Sequence, residues 1–305
     1  MPQTVWFITG TTSGIGAALV NHILSRGDKV IASGRNVQKK LNHLKSQPNA
    51  FLLELDVAAE KLIIEAQVKK AWEAFGHVDV LINNAGMSAL RTAEDADDTF
   101  VNTIFQVNLF GHLHMSQAIL PYFRAQGHGT IAFTSSGCAW GALPYLSHYC
   151  MTKAALSSFA ESVHKEVSHM GIKCVAFDLG GFPTRLAQPH EVSFPESPVS
   201  EPYAETFGEY LSLFLPDPSW TIPGDPNKAA SAMVDVIRRQ GAAAGRPWAV
   251  RVVLGSDCLT YARKRRQEEL RLLEKWQDVS SSTDTREFAL KPEYEKYIVV
   301  AGLEE

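Results

Sequence analysis

The stretch Thr9-Gly10-Thr11-Thr12-Ser13-Gly14-Ile15-Gly16 (TGTTSGIG, residues 9–16) decides the fold. It follows an apolar run, Val5 to Ile8, that predicts a buried strand, and it leads into a helical pattern from Ile15 to Leu24. Because glycine has no Cβ, the spacing G-x-x-x-G-x-G allows a tight turn and a close approach of backbone to a phosphate. A turn that opens a helix in this way can hold a pyrophosphate. A helix-entry turn without a ligand is the plainer alternative.

The first 180 residues repeat this alternation of apolar, β-branched runs with helical patterns. Further strands are predicted at 29–33, 51–55, 78–82, 129–134 and 173–178, and helices at 59–75, 97–125 and 149–170. Nearly continuous apolar strands between helices indicate a parallel sheet with helices on both faces. We therefore predict an α/β fold, a doubly wound parallel sheet (Rossmann fold) of about seven strands.

Length and composition favour one large domain over two equal halves. The chain has 305 residues, of which 45% are hydrophobic and 20% charged, which is ordinary for a soluble globular protein. We predict a single Rossmann-type domain over residues 1–255, completed by a helix at 229–239 and a strand at 248–254. Residues 256–305 are expected to form a C-terminal helix and a tail packed on the same domain.

The alternation breaks between residues 187 and 224, where prolines are interleaved with aromatic residues. Long irregular insertions in compact domains often form lids, and a substrate lid is predicted here. Within it, helical spacing relates Tyr203, Phe207, Tyr210, Leu211 and Phe214, and Pro202 suits the first turn of such a helix. The alternative is that this aromatic stripe only packs on the core.

The last helix is expected to begin at a cap formed by Ser256 or Asp257 and to run to about Gln277. It carries the basic run 263–266, which could suggest nucleic acid. Since Glu268 and Glu269 follow directly, a solvated helix face is the preferred interpretation.

Charge and targeting signals exclude several classes of partner. A net charge of -4 gives no reason to expect nucleic acid or an anionic membrane. No apolar run approaches the ~18 residues of a membrane span, and no signal peptide is visible. The four cysteines show no metal-ligand spacing, so no metal is expected and reduced thiols in a cytoplasmic protein are predicted.

Tyr149 and Lys153 carry the clearest chemical signal. They lie four residues apart on a predicted helix and therefore on the same face. An ammonium held beside a phenol stabilises the phenolate and lowers its pKa from about 10. Tyr149 then becomes a proton donor and acceptor near neutral pH. With a pyrophosphate turn in the same chain, the pair suggests a nicotinamide enzyme that moves a hydride while Tyr149 moves the proton.

Polar residues also follow two of the predicted strands. Asn83-Asn84-Ala85-Gly86 ends the fourth strand, and Thr134-Ser135-Ser136 ends the fifth, 13 residues before Tyr149. Ligands of such sheets bind beyond the carboxyl ends of the strands. The asparagines could tie neighbouring strands and border a cofactor, or simply form a turn. Ser136 is preferred over Ser135, whose side chain should point to the opposite side of the strand.

With these motifs in order, the chain resembles the short-chain dehydrogenase/reductase family. The matching positions are Thr9-Gly10, Gly14-Ile15-Gly16, Asp56, Asn83-Asn84-Ala85-Gly86, Asn108, Ser136, Tyr149, Lys153, Gly180 and Thr184, and they span roughly residues 4–254. Leu179 stands where the family often has proline before Gly180, which leaves the rigidity of that turn in doubt.

The resemblance implies a role for each catalytic position. Tyr149 would be the general acid for carbonyl reduction, or the base for alcohol oxidation, and Lys153 would lower its pKa and hold the nicotinamide ribose. Ser136 would hydrogen-bond the substrate oxygen as negative charge develops. Asn108 would help hold a water that connects Lys153 to solvent. The expected cofactor-binding residues are Gly10, Thr12, Ser13, Gly14, Ile15, Gly16, Arg35, Asp56, Val57, Asn84, Ala85, Gly86, Tyr149, Lys153, Gly180, Phe182 and Thr184.

The end of the second strand favours NADP(H). An acidic residue there would hydrogen-bond the ribose 2′-hydroxyl of NAD and repel a 2′-phosphate, but the chain has Ser33-Gly34-Arg35. Gly34 removes the repulsion, Arg35 can pair with the phosphate, and Ser13 can add a hydroxyl. Alternatively, Arg35 stacks on the adenine or faces solvent. By resemblance, Asp56 lies near the adenine amino group, with Val57 beside it.

The sequence thus predicts an NADP(H)-dependent oxidoreductase that interconverts a ketone or aldehyde and an alcohol. Cys138, Trp140, Leu143, Tyr145 and the 187–224 lid are expected to line the substrate site, or to be ordinary packing. Their apolar character favours a bulky hydrophobic substrate. The alternatives are an NADP(H)-binding sensor or scaffold without turnover, and an enzyme of the same fold that catalyses a non-redox step such as a cyclisation. The family resemblance also implies a homo-oligomer, dimer or tetramer.

Overall fold

The computed structural model describes residues 3–88, 90–184, 199–212, 222–286 and 288–299. The strands in this part of the chain are β1 (Val5–Ile8), β2 (Lys29–Gly34), β3 (Ala50–Glu54), β4 (Val80–Asn83), β5 (Gly129–Ser136), β6 (Ile172–Leu179) and β7 (Arg251–Leu254). They form one sheet in the order β3-β2-β1-β4-β5-β6-β7, and every neighbouring pair is parallel. The predicted doubly wound sheet is confirmed.

Helices cover both faces of this sheet. They are α1 (Gly14–Ser25), α2 (Val37–Lys40), α3 (Lys61–Phe75), α4 (Asp98–Phe105), α5 (Gly111–Gln126), α6 (Ser147–Val167), α7 (Ala204–Ser212), α8 (Pro226–Arg238), α9 (Ser256–Lys275), α10 (Gln277–Ser281) and α11 (Pro292–Ile298). Apolar residues of α3, α5 and α6 build the core on one face, and those of α1 and α8 build it on the other. Because the central strands are buried on both sides, they are apolar without alternation.

The strand order places the functional segments at one edge. The chain runs from β1 outward to β3 and then returns to β4 on the other side of β1. The connections that follow β1 and β4 run to opposite sides of the sheet. A crevice therefore opens between the carboxyl ends of these two strands. The glycine turn follows β1 and the Asn83–Gly86 segment follows β4, so both border this crevice.

The structure refines several predicted boundaries. The helical stretch predicted at 97–125 is helical, but a π-helical turn at Gln106–Phe110 separates α4 from α5. The strand predicted at 248–254 begins only at Arg251.

The predicted cap of the last helix is wrong. The residue before α9 is Gly255, with a φ of 113°, and no side chain caps the helix. Ser256 is already helical, and the carboxylate of Asp257 accepts a hydrogen bond from the amide of Gly181 instead.

The lid prediction is tested only in part. Helix α7 confirms the predicted helix, and Pro202 lies in the 3₁₀ turn Glu201–Tyr203 that leads into it. The rest of the predicted lid, residues 187–198 and 213–221 with Phe214, lies outside the described residues.

The C-terminal helix is anchored at its start. Cys258 and Ala262 are buried, whereas Leu270, Leu273 and Trp276 are exposed. Glu269 pairs with Arg265 and Arg266 along the helix, which supports the interpretation of a solvated face. Across the described part of the chain, we find no helix with the length and apolarity that a membrane crossing requires.

Candidate active site

The glycines of the turn after β1 are required by its geometry. Gly10 and Gly14 have φ values of 70° and 56°, which side chains rarely tolerate. A Cβ on Gly10 would lie 2.7 Å from the Cα of Ala85, and a Cβ on Gly16 would lie 2.2 Å from the carbonyl oxygen of Gly10. The turn therefore packs against the Asn83–Gly86 segment with no room for a side chain.

This turn presents the start of α1 to the crevice. Ser13 precedes the helix in an extended conformation and its hydroxyl makes no capping hydrogen bond. No acidic side chain lies in the first turn of the helix. Free amide groups and the positive end of the helix dipole at such a terminus suit an anion. The backbone fits the pyrophosphate of a dinucleotide.

Asn84 ties three strands together at this edge. Its side-chain nitrogen donates to the carbonyl oxygens of Thr9 and Gly10 at 2.9 and 3.2 Å. Its oxygen accepts from the Thr134 hydroxyl at 3.2 Å. The Thr9 hydroxyl in turn accepts from the amides of Asn84 and Ala85. The prediction that the asparagines connect neighbouring strands is confirmed for Asn84.

Ser136, Tyr149 and Lys153 come together where β5 ends and α6 begins. The Ser136 side chain lies near the Tyr149 phenol and acts to lower its pKa. The Lys153 ammonium lies over the Tyr149 ring, 5.6 Å from its centroid, and donates to the Thr134 carbonyl oxygen at 2.8 Å. Ser135 points away and bonds Ser157 of α6 at 2.7 Å. One turn of helix thus places the phenol and the ammonium on the face of α6 that meets the end of β5.

The pKa of Tyr149 shifts in the direction opposite to the predicted one. Burial raises this pKa above its ordinary value, although the nearby Ser136 side chain acts to lower it. The ammonium of Lys153 contacts the face of the ring and not the hydroxyl. Burial also lowers the pKa of Lys153 to about 8. The phenol is therefore protonated near neutral pH, which is the form that donates a proton.

Asn108 supports the site from behind the cavity. It is fully buried in the π-helical turn, an irregularity that often occurs at functional sites. Its side chain accepts from the Met87 amide and donates to the Met87 carbonyl oxygen, both at 2.8 Å, and it also donates to Thr152 of α6 at 3.3 Å. Asn108 therefore joins the segment after β4 to the helix of Tyr149. Its predicted role toward a water stays a prediction.

The end of β2 forms another part of the same site. Gly34 is buried, whereas Arg35 and Lys40 are exposed and border the same cavity. Asp56 also borders this cavity, and its carboxylate accepts from the Ala58 amide at 2.9 Å. Two cations at this end suit a phosphate. Lys40 was not predicted, since its position in a short polar helix gives no signal in the sequence.

The turn after β6 is braced by the C-terminal helix. The Gly181 amide donates to the Asp257 carboxylate at 2.6 Å, and a Cβ on Gly180 would overlap that carboxylate. Thr184 lies against Gly14, where a Cβ on the glycine would be 3.1 Å away. Asp257 therefore supplies the rigidity that the sequence put in doubt at Leu179.

These segments enclose one continuous cavity of about 930 Å³. Of the predicted catalytic residues, Ser136, Tyr149 and Lys153 line it and Asn108 does not. Of the predicted cofactor-binding residues, all line it except Gly16, which lies behind the turn: Gly10, Thr12, Ser13, Gly14, Ile15, Arg35, Asp56, Val57, Asn84, Ala85, Gly86, Tyr149, Lys153, Gly180, Phe182 and Thr184.

The wall near Ser136 differs in part from the predicted substrate wall. Cys138 and Leu143 line the cavity, but Trp140 and Tyr145 are not among its lining residues. The Arg251 and Arg266 guanidinium groups both lie over the Trp140 ring, 4.1 and 4.8 Å from its centroid, and the ring nitrogen donates to Asp178. Trp140 is therefore a packing residue at the base of α9.

Several lining residues escaped the sequence analysis. They are Met87, Ser88, Leu90, Thr103, Val107, Leu146, Asp257, Cys258 and Tyr261. Ile222 also lines the cavity, and it falls within the predicted 187–224 lid. Tyr261 comes from α9, and a Cβ on Gly141 would lie 2.3 Å from its hydroxyl oxygen. The C-terminal helix thus forms part of the site, which no local pattern indicated.

This fold and site define a class of protein, the nicotinamide-dependent oxidoreductases. The sequence pattern of the short chain dehydrogenase family matches residues 4–192, and the chain belongs to this family. It is an oxidoreductase with a fold that binds a nicotinamide dinucleotide.

Among its relatives is an oxidoreductase of Botryotinia fuckeliana, named BOA17, which is 34% identical over 280 residues, 90% of this chain and 97% of that protein. The NADPH-dependent 1-acyldihydroxyacetone phosphate reductase of Saccharomyces cerevisiae is 30% identical over 61% of this chain and 63% of its own. The solved structure of a short-chain dehydrogenase from Streptomyces avermitilis is 29% identical, covers 92% of this chain and 98% of its own, and has a TM-score of 0.82.

Proposed function

We propose that this protein is an NADP(H)-dependent reductase that converts a bulky, apolar ketone or aldehyde into the alcohol. The observation that carries this proposal is the grouping of Ser136, Tyr149 and Lys153 around one cavity at the carboxyl edge of the sheet. The three groups open into the same cavity as the glycine turn. When bound, the cofactor supplies the hydride.

Each catalytic side chain has a defined task in this reaction. The Ser136 hydroxyl donates a hydrogen bond to the carbonyl oxygen, where negative charge develops. The Tyr149 hydroxyl gives its proton to that oxygen, and its raised pKa keeps the proton on the phenol until the oxygen becomes basic. The Lys153 ammonium, which lies over the Tyr149 ring, then stabilises the phenolate by its positive charge. Asn108 holds the helix of Tyr149 against the segment after β4.

The preference for NADP(H) over NAD(H) rests on the end of β2. Gly34 adds no carboxylate of its own at the end of β2, and the neighbouring Glu54 carboxylate accepts from the amides of Asn36 and Gln38. Arg35 and Lys40 place positive charge at the rim of the cavity. Ser13 offers a hydroxyl that no capping hydrogen bond uses. A 2′-phosphate would gain charge-assisted hydrogen bonds here. A relative named as NADPH-dependent, the yeast reductase, supports the same choice.

The proposed substrate follows from the wall near Ser136. Leu90, Val107, Leu143, Leu146 and Leu211 contribute apolar surface to this cavity. Burial of apolar surface is favourable by about 25 cal/mol per Å², so a hydrophobic group attached to the carbonyl would bind here more tightly than a small polar one.

The test is NADPH oxidation with a panel of aliphatic, cyclic and aryl ketones, followed by product analysis. Tyr149→Phe should lower kcat by at least about a thousandfold, since it removes the proton donor. Its Kd for NADPH should stay within about twofold, because the ring and Lys153 remain. Normal turnover by this variant would refute the assigned role. A protein that binds NADPH but reduces no ketone would be a sensor, and a product without oxidised cofactor would indicate a non-redox step.

Two further expectations stay predictions. The homo-oligomer, which the family resemblance leads us to expect through the long helices around residues 97–125 and 149–170, can be measured by light scattering on the purified protein. The cytoplasmic location can be tested by fractionation of the source cells.

A further inference from the structure

Tyr145 has an unusual backbone conformation for a bulky residue. Its φ is 62°, a left-handed value it shares with Asn36 and Arg239 among the non-glycine residues of the described chain. Such a conformation is a genuine outlier for a bulky side chain and persists only where the surroundings hold it. It lies on the loop between β5 and α6, four residues before Tyr149.

The contacts of Tyr145 go to helix α7. Its hydroxyl donates to the Thr206 hydroxyl at 2.6 Å. Its ring packs edge-on against Phe207 at 4.9 Å and against Tyr210 at 5.4 Å between centroids. Its carbonyl oxygen accepts from the Arg91 amide at 2.9 Å. One residue therefore joins α7, the loop before the Tyr149 helix and the segment after β4.

These contacts fix the position of the cavity wall that α7 contributes. Tyr210 and Leu211 of α7 line the cavity, and so do Leu143 and Leu146 on either side of Tyr145. Tyr145 itself does not line it. The left-handed backbone turns its side chain away from the cavity and onto α7, while its neighbours in sequence face the cavity.

A second set of bonds holds the start of the same segment. Ser200 donates to Asp95 from both its amide and its hydroxyl, and the Tyr203 hydroxyl donates to Glu94 at 2.7 Å. These bonds anchor the chain before α7, whereas Tyr145 reaches the helix itself. The position of Tyr210 and Leu211 therefore depends on Tyr145.

We propose that Tyr145 is a positioning residue that determines substrate specificity, because it holds α7 so that Tyr210 and Leu211 close the apolar wall of the substrate site. This inference rests on the proposed reductase function. Tyr145 touches neither the substrate nor the reacting atoms. It acts on the binding of bulky substrates and leaves the proton transfer unchanged.

If Tyr145 served only to shape its own turn, Tyr145→Gly would have no effect, whereas the proposal predicts weaker binding of bulky substrates. Glycine accepts a φ of 62° without strain, so Tyr145→Gly keeps the turn and removes only the ring and hydroxyl. If the turn alone matters, this variant should behave as wild type. Arg239→Gly is the matched control, since Arg239 has a φ of 53° at the exposed end of α8, away from the cavity.

The experiment combines kinetics with hydrogen exchange. With 4-phenylcyclohexanone as the bulky probe, Tyr145→Gly should raise KM by about tenfold, since it loses aromatic contacts and their apolar burial. The kcat, its pH profile and the KM for acetone should stay within about twofold. Tyr145→Phe should raise the KM for 4-phenylcyclohexanone by about threefold, because it removes the hydrogen bond to Thr206. Thr206→Val removes this bond and the one to the Tyr203 carbonyl oxygen, so the double variant should raise this KM no further than Thr206→Val alone.

Amide hydrogen exchange measures how firmly α7 is held, and it requires no substrate or enzymatic activity. The amides of residues 204–212 should exchange about tenfold faster in Tyr145→Gly, while those of α6 and the Arg239→Gly control remain unchanged. Unchanged exchange in α7, or an equal rise of KM for both ketones, would overturn the assignment. If no ketone is reduced by the wild type, the proposed reductase function fails, and the exchange data alone still decide whether Tyr145 positions α7.

Discussion

Replacement of Gly34 by aspartate should reverse the cofactor preference of this protein. A Cβ at this position would meet its nearest neighbour, Cγ1 of Val37, at 3.5 Å, and the Thr11 amide nitrogen and Thr12 Cγ2 at 3.7 Å. These are ordinary van der Waals distances, and the residue has no left-handed backbone, so the fold accepts the new side chain. The carboxylate would stand at the end of β2, beside Arg35.

The magnitude follows from the charges. At an effective dielectric constant of about 20, two unit charges about 4 Å apart repel by about 4 kcal/mol. Arg35 and Lys40 are exposed, so solvent and salt reach this rim and leave about half of that repulsion. About 2 kcal/mol corresponds to a roughly 30-fold weaker Kd for NADPH. The Kd for NADH should fall by about threefold, since the carboxylate can accept from a ribose hydroxyl.

Isothermal titration with both cofactors measures this without a known substrate. Gly34→Asn is the control, because it has nearly the same shape and no charge. It should weaken both cofactors equally, by less than about threefold. If Gly34→Asp binds NADPH as tightly as Gly34→Asn does, no phosphate lies at this end of β2, and the argument for NADP(H) fails.

Three further predictions concern the turn, the ammonium and the buried ion pair. Gly16→Ala places a Cβ 2.2 Å from a backbone carbonyl oxygen and should weaken cofactor binding by about 1–3 kcal/mol in titration, whereas Gly208→Ala, with open space around it, should not. Burial lowers the pKa of Lys153 from 10.5 to about 8, so the unfolded chain binds more protons above pH 8. Denaturant titrations should therefore show wild type gaining stability over Lys153→Met from pH 8 to 10. Arg251→Met leaves the fully buried Asp178 carboxylate without its cation and should cost about 3–5 kcal/mol, measured by calorimetry.

The sheet and its cofactor edge were predictable because their signals are local. The apolar runs around Val5–Ile8 and Val80–Asn83 are buried on both faces, so they read as continuous hydrophobic segments. The glycines at residues 10 and 14 are required by backbone angles that a short motif encodes. A parallel sheet brings the carboxyl ends of all its strands to one edge. This rule alone predicts that Ser136, at the end of β5, and the glycine turn, after β1, lie on the same edge.

The rest depended on contacts between segments distant in the sequence. Asp257 and Tyr261 enter the site from α9, more than 100 residues after Tyr149, and nothing in their surroundings marks them. Trp140 is an aromatic residue of the kind that lines substrate sites, but its ring packs against the guanidinium groups of Arg251 and Arg266. The predicted direction of the Tyr149 pKa shift was wrong because spacing on a helix indicates a neighbouring ammonium but does not indicate how deeply the phenol is buried.

A buried chain of polar groups explains why the catalytic residues keep their relative positions. Ser135, next to Ser136 on β5, bonds Ser157 of α6 at 2.7 Å, and Ser157 donates to Asp178 of β6 at 3.0 Å. Asp178 also accepts from Arg251 of β7. An unpaired member of such a chain is costly inside the protein, so strand and helix cannot slide past one another without losing bonds. The spacing between the Ser136 and Tyr149 hydroxyls is therefore set by groups that never touch the substrate.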